Sequence, residues 1–279
     1  MILHIINTGY FKLDGGAMFG VVPKSMWNKL NPADENNMCT WAMRCLLIED
    51  GNRLILVDTG IGDKQDSKFL SHYYLHGEDN LLKSLRNSGF DTSDVTDVIL
   101  THLHFDHCGG ATAYNNDKSK IEPVFKNATY WSNHEHWQWA VNPNAREKAS
   151  FLKDNILPIE QSGQLKLIQP GSKPFDNLDI LFVDGHTEKQ MLPLIHYKGK
   201  KLLFSADLFP SSYHIPLPYI MSYDVRPLLT LKEKEDVLSK AVKEDMILFF
   251  EHDPIVECCL VQQTDRGFKA GESFKLRDL

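Results

Sequence analysis

The 279-residue sequence has no long apolar run, no surplus of basic residues and no paired-cysteine motif. Its apolar stretches, such as Met246–Phe250, fall far short of the roughly 20 residues that span a bilayer. Lys and Arg number 30 against 37 Asp and Glu, a net charge of −7. The short basic clusters, Lys118–Lys120 and Lys198–Lys201, lie beside Gly, Asn or Asp and read as solvated turns. Neither nucleic acid nor membrane is therefore an expected partner. Cysteine is sparse, odd in number at five, and without a C-x-x-C pair, which fits free thiols in a reducing compartment. Residues Met1 to Phe11 lack a basic start followed by a long apolar stretch, so a cytoplasmic location is expected. Hydrophobic residues at 42% and charged residues at 24% exclude a disordered or fibrous chain. No Pro/Gly/Ser-rich linker divides it, and the expectation is one domain, 1–279, of two related halves, roughly 1–160 and 161–279.

Short apolar runs punctuated by turn residues predict strands at Met1–Asn7, Trp41–Ile48, Arg53–Val57, Val95–Leu100 and Ala128–Ser132. Further strands are predicted at Leu165–Ile168, Leu178–Val183, Met191–Tyr197, Lys201–Ser205 and Met246–Phe250. Helical spacing marks Glu78–Ser88, Ala145–Asn155 and Leu231–Glu244, and Ser132 with Glu135 resembles a capping box. Ala17–Trp27 reads as strand edge and loop, and Ile255–Gln262 and Gly267–Phe274 as a C-terminal extension of unassigned form. Gly51–Asp58 and Gly199–Asp207 share a plan of turn Gly, polar pair, apolar strand and terminal Asp.

What the sequence has in plenty is histidine, twelve in all. Thr101-His102-Leu103-His104-Phe105-Asp106-His107-Cys108-Gly109-Gly110 follows a buried strand and places four metal-ligand side chains within six positions. On an extended chain His102, His104 and Asp106 share a side and His107 turns away, which offers two neighbouring ligand sets. Imidazole and carboxylate suit zinc and similar divalent ions.

This segment resembles the H-x-H-x-D-H signature of the metallo-β-lactamase superfamily. The similarity continues in order through His186 in Val183-Asp184-Gly185-His186-Thr187, Asp207, His252 in Glu251-His252-Asp253, and Asp58 in Leu56-Val57-Asp58-Thr59-Gly60. The resemblance implies an α/β fold, a four-layer αββα sandwich of two mixed sheets flanked by helices. It implies two divalent metals, zinc by preference with Mn, Fe or Co as alternatives. His102, His104 and His186 would hold one metal and Asp106, His107 and His252 the other, with Asp207 bridging. Asp58 would fix a ligand imidazole, and Asp184 and Glu251 are candidates for the same part. Asp106 and Asp207 would be the catalytic carboxylates, working on a hydroxide shared by the metals.

Branches of the superfamily separate on single positions. Asp207 stands where dinuclear β-lactamases commonly carry Cys, and His104 where the diiron oxygen reductases carry Glu. The acidic chain has little room between Asp207 and His252 for an RNA-binding insertion. What remains resembles the N-acyl-homoserine lactonases and the methyl-parathion-type organophosphate hydrolases, so a metal-dependent hydrolase of a small ester, foremost a lactone, is expected. Organophosphate or phosphodiester hydrolysis and glyoxalase-type thioester hydrolysis are the alternatives. Asp14–Lys24 resembles the loop that covers the site in those groups. Met18, Phe19, Trp27, Phe105 and Met221 are candidates for an apolar wall, and Tyr213, His214 and Tyr223 for substrate contact. The lactonase tyrosine three residues after the bridging Asp is here Pro210. The expected partner is a small-molecule substrate, with a second copy of the chain as the only macromolecular candidate.

Overall fold

The computed structural model describes residues 1–279. The chain divides into two compact units. One comprises Met1–Gly9, Met43–His72 and His76–Pro174, the other Tyr10–Ala42, Tyr73–Leu75 and Phe175–Leu279.

β1 (Ile2–Asp14) is nearly twice as long as its alternation predicts. The Gly- and Pro-bearing stretch after it is helical rather than strand edge and loop. α1 (Gly15–Phe19) starts because the Asp14 carboxylate accepts the Ala17 N–H at 2.8 Å, and α2 (Lys24–Trp27) follows Pro23. β2 (Met38–Asp50) and β3 (Arg53–Val57) form the expected antiparallel hairpin, turning at Gly51 with φ +63°. α3 (Ser67–Ser71) and α4 (Leu81–Asn87) lead to β4 (Asp97–Ile99), which pairs parallel with β3.

α5 (Phe105–Cys108), a small antiparallel pair of β5 (Thr112–Tyr114) and β6 (Ile121–Pro123), and β7 (Thr129–Asn133) come next. α6 (His134–Val141) is capped by Asn133, whose side chain accepts the His136 N–H, and not by Ser132. The expected helix at Ala145–Asn155 lies further on, as α7 (Lys153–Gln161). Its Pro158 has no N–H for the Asp154 carbonyl, and Thr112 Oγ1 serves that carbonyl instead at 2.9 Å. β8 (Leu165–Ile168) ends the first sheet, ordered β1-β2-β3-β4-β7-β8. The parallel members β3 and β4 are buried almost throughout, which is why they read as unbroken apolar runs.

In the second unit β9 (Leu178–Val183), β10 (Gln190–Tyr197) and β11 (Lys200–Phe204) are antiparallel neighbours. α8 (Pro227–Glu244) precedes β12 (Ile247–Phe249), which lies parallel to β11. The unassigned C-terminal extension is a hairpin, β13 (Cys258–Thr264) and β14 (Gly267–Phe274), completing a sheet ordered β14-β13-β12-β11-β10-β9. The echo between Gly51–Asp58 and Gly199–Asp207 has a structural counterpart. β3 and β11 each lie between an antiparallel neighbour that precedes them and a parallel one that follows. No helix is long and apolar enough to cross a membrane.

Candidate metal centre

In the first unit the motif leaves the end of β4, and Asp58 at the end of β3 organises it. Asp58 Oδ1 accepts the Thr101 N–H at 2.8 Å, and Oδ2 accepts the Thr101 hydroxyl at 2.6 Å. The same Oδ2 lies 3.1 Å from His107 Nδ1. With its proton committed to Asp58, the Thr101 hydroxyl can only accept from His102 Nδ1, at 3.1 Å. One buried carboxylate thus sets the tautomer of two imidazoles, His107 directly and His102 through Thr101. In both rings Nε2 keeps the lone pair a metal needs.

The chain does not stay extended through the motif. His104 accepts the N–H groups of His107 and Cys108, each at 3.1 Å, and α5 forms as a single helical turn. This turn brings the His102 and His107 rings to 3.9 Å and the His102 and His104 rings to 4.6 Å. Asp106 Oδ2 is 3.7 Å from His107 Nε2. The glycine pair that follows is required by a close approach. A Cβ on Gly109 would lie 2.0 Å from the Ile61 carbonyl oxygen. His104, 7% exposed, has Nε2 3.5 Å from the Glu147 carboxylate and stacks obliquely on Phe151 at 4.8 Å. His136 accepts the Leu103 N–H through Nε2 at 2.9 Å, so it braces the motif from α6.

The second unit presents a matching set. His186 follows β9, Asp207 follows β11 and His252 follows β12. Asp207 turns one carboxylate oxygen to each histidine, Oδ2 to His186 Nε2 at 3.1 Å and Oδ1 to His252 Nε2 at 3.2 Å. Both imidazoles are held from behind at Nδ1, His186 by Asp224 Oδ1 and His252 by the Ala42 carbonyl, each at 2.8 Å. The turn at His186 is clamped to α8, because Glu233 accepts the N–H groups of Asp184 and Gly185 at 2.7 and 3.0 Å. Asp184 itself accepts the backbone and ammonium donors of Lys189 and does not serve His186.

The residues expected around the substrate differ in setting. His214 Nε2 is 2.9 Å from the Met18 carbonyl and Nδ1 2.7 Å from Ser211 Oγ, so protein occupies both nitrogens. Burial lowers its pKa to about 3 and keeps the ring neutral. His214, Phe19 and Trp27 stack in series, with centroids 5.0 and 5.3 Å apart. Met18, Phe19, Trp27, Phe105 and Met221 are all buried, and Tyr223 is exposed. Tyr213 lies beside Ser212, whose N–H and hydroxyl both donate to Asp253, the neighbour of His252. Burial and the nearby Asp253 charge push the Tyr213 phenol up to about 12.

Four of the five histidines thus have an acceptor behind Nδ1, with carboxylates alongside, a combination that fits a divalent metal. The profile of the metallo-beta-lactamase superfamily matches residues 44–252, and the chain belongs to that superfamily, as a metal-dependent hydrolase. An N-acyl homoserine lactonase of Bacillus cereus is 25% identical over 242 residues, 82% of this chain and 87% of that protein. Among solved structures, a "probable metal-dependent hydrolase" from Staphylococcus aureus superposes with a TM-score of 0.88 and is 28% identical, covering 98% of this chain and 96% of its own. The dizinc quorum-quenching lactonase AidC, in complex with its product N-hexanoyl-L-homoserine, superposes at 0.78 and is 24% identical, covering 98% and 95%. The two large mixed sheets with their helices are those of the expected α/β fold class.

The supporting groups not foreseen from the sequence include Thr101, Asp224 and the Ala42 carbonyl. Thr101 had a signal, being the hydroxyl residue next to His102. Asp224 is 38 residues from the histidine it holds, and a backbone carbonyl has no sequence signal.

Proposed function

We propose that the chain is a lactonase, and that the two units act as one hydrolase domain, 1–279, opening the ring of an N-acyl-homoserine lactone or a close ester analogue. In this reading His102, His104 and His186 would hold one divalent metal and Asp106, His107 and His252 a second, with Asp207 as the carboxylate shared between them. Zinc is the metal in view of the ligand chemistry and of the dizinc lactonase among the similar structures. The observation that carries the reading is the pair of Asp207 contacts, one carboxylate oxygen to each of two histidines held from behind, in a chain similar over 82% of its length to a lactonase.

When bound, the metals supply Lewis acidity and lower the pKa of water toward about 7. The protein's own part is orientation and proton handling. Water adds to the lactone carbonyl carbon, the ring C–O bond breaks, and the freed alkoxide takes a proton to become the product hydroxyl. Asp106, on the helical turn beside His107, accepts the proton of the attacking water at a carboxylate oxygen and returns it to the leaving oxygen. Tyr213 takes the part of the tyrosine that Pro210 lacks. Its high pKa keeps the phenol protonated at neutral pH, so it can donate to the carbonyl oxygen. His214, stacked with Phe19 and Trp27, holds Met18 and Phe19 in place as the apolar side offered to the acyl chain, with Met221 adding to it and Tyr223 at its exposed edge.

A panel of acyl-homoserine lactones, aryl phosphotriesters, phosphodiesters and a glutathione thioester, offered to zinc-loaded protein, tests this. The lactones are expected to be opened fastest, with loss on Asp207→Ala and a lower kcat for Tyr213→Phe. A flat lactone response with another ester class turned over would overturn the substrate assignment.

A further inference from the structure

We propose that Glu147 is the positioning residue of His104, a part that rests on the ligand role given to His104 above. The other three imidazoles with a defined acceptor behind them, besides His102 on Thr101, are held at Nδ1. His104 is approached at the opposite nitrogen, with Nε2 3.5 Å from Glu147 Oε1. Glu147 is 3% exposed, and burial of a carboxylate is costly unless donors compensate it. Its other oxygen, Oε2, accepts Trp139 Nε1 at 2.7 Å and Asn144 Nδ2 at 2.5 Å. Asn144 also accepts the Glu147 N–H at 3.1 Å, which fixes the backbone. Trp139 on α6 and Asn144 in the following loop therefore clamp one carboxylate oxygen, and the other faces His104. Phe151 covers the His104 ring at 4.8 Å and keeps the contact in a dry setting, where an ionic hydrogen bond is strongest.

The separation of 3.5 Å is longer than a formed N–H···O bond. A metal on the imidazole would withdraw electron density and make the remote N–H a stronger donor, which would tighten this contact. A carboxylate behind a ligand imidazole is typically worth ten- to a hundredfold in metal affinity. Glu147 was invisible as a site residue because it lies in the polar run Asn142–Ser150, 43 positions beyond His104, with no motif around it.

Glu147→Gln tests the assignment. Its amide oxygen still accepts from Trp139 and Asn144, but its amide nitrogen cannot accept from His104. Zinc affinity, read by chelator competition, is expected to fall ten- to a hundredfold while thermal unfolding of the metal-free protein stays unchanged. The visible absorption of the cobalt-substituted protein is expected to shift in Glu147→Gln and to return toward wild type in Glu147→Asp. His104→Ala is the reference. If it loses tight metal binding while Glu147→Gln matches wild type in affinity and cobalt spectrum, the Glu147 proposal is overturned and the metal reading stands. If His104→Ala binds metal as wild type does, both fall.

Discussion

Asp58 stands behind two imidazoles at once, and that doubles the consequence of changing it. In Asp58→Asn the Thr101 and His107 donors compete for one amide oxygen, and the tautomers of His102 and His107 are no longer imposed. Metal affinity is expected to fall by at least the ten- to hundredfold typical of such partners, and the metal-free protein to lose about 1–3 kcal/mol. Chelator competition and denaturant unfolding measure the two separately. Asp224→Asn weakens the acceptor behind His186, so its loss should be greatest in the set that contains His186. At this scale the proposed ligands stood out in the sequence, because H-x-H-x-D-H packs four of them into one short segment and His186, Asp207 and His252 each follow an apolar strand. The groups that aim them were mostly illegible. A supporting acceptor needs only one oxygen in the right place, and Asp224, Glu147 and the Ala42 carbonyl reach their histidines across folded, not sequential, distance.

Elements were legible where a short apolar run ends in turn residues. Leu165–Ile168 and Leu178–Val183 are strands with the predicted limits, and the β2–β3 hairpin follows from its turn glycine. Short polar-capped pieces were not, since α1 and α2 are only five and four residues long and owe their form to Asp14 and Pro23. α8 shows a subtler difference. The sequence points to Val237, Leu238, Ala241 and Val242 as its inner side, but the buried stripe is Thr230, Lys234, Leu238 and Ala241. Lys234 is fully buried because its ammonium donates to the carbonyls of Pro216, Leu217 and Tyr219 at 3.0, 3.3 and 2.8 Å. Burial lowers its pKa to about 7. It ties α8 to the segment whose Ser222 N–H donates to the Ala17 carbonyl at 2.8 Å. Lys234→Met strands those three carbonyls and is expected to cost about 1–3 kcal/mol in denaturant unfolding. Gly185→Ala is expected to be worse for the His186 turn, since the added Cβ would lie 2.5 Å from the Thr230 backbone nitrogen. A drop in both stability and metal affinity would report it.

For the whole molecule, acid acts through two routes with the same sign. His214 titrates near 6.5 when unfolded and is held down to about 3 when folded, by burial first. Between those values the unfolded chain binds a proton that the folded chain does not, so stability falls as pH falls through this window, by about 1.4 kcal/mol per unit. Denaturant unfolding of the metal-free protein from pH 7 to 4 should show a steeper loss for wild type than for His214→Gln. Metal release adds to the decline in the loaded protein, because protonated imidazole cannot bind. Chelation at neutral pH should lower the melting temperature, as expected when a ligand bound only by the folded state is removed. If Asp207 is shared by the two proposed ligand sets, zinc content should depend on it. Elemental analysis of zinc per chain in wild type and in Asp207→Ala tests it most directly. About two zinc ions are expected in the wild type and one or fewer in the variant. One ion or none in the wild type, or an unchanged count in the variant, would contradict it.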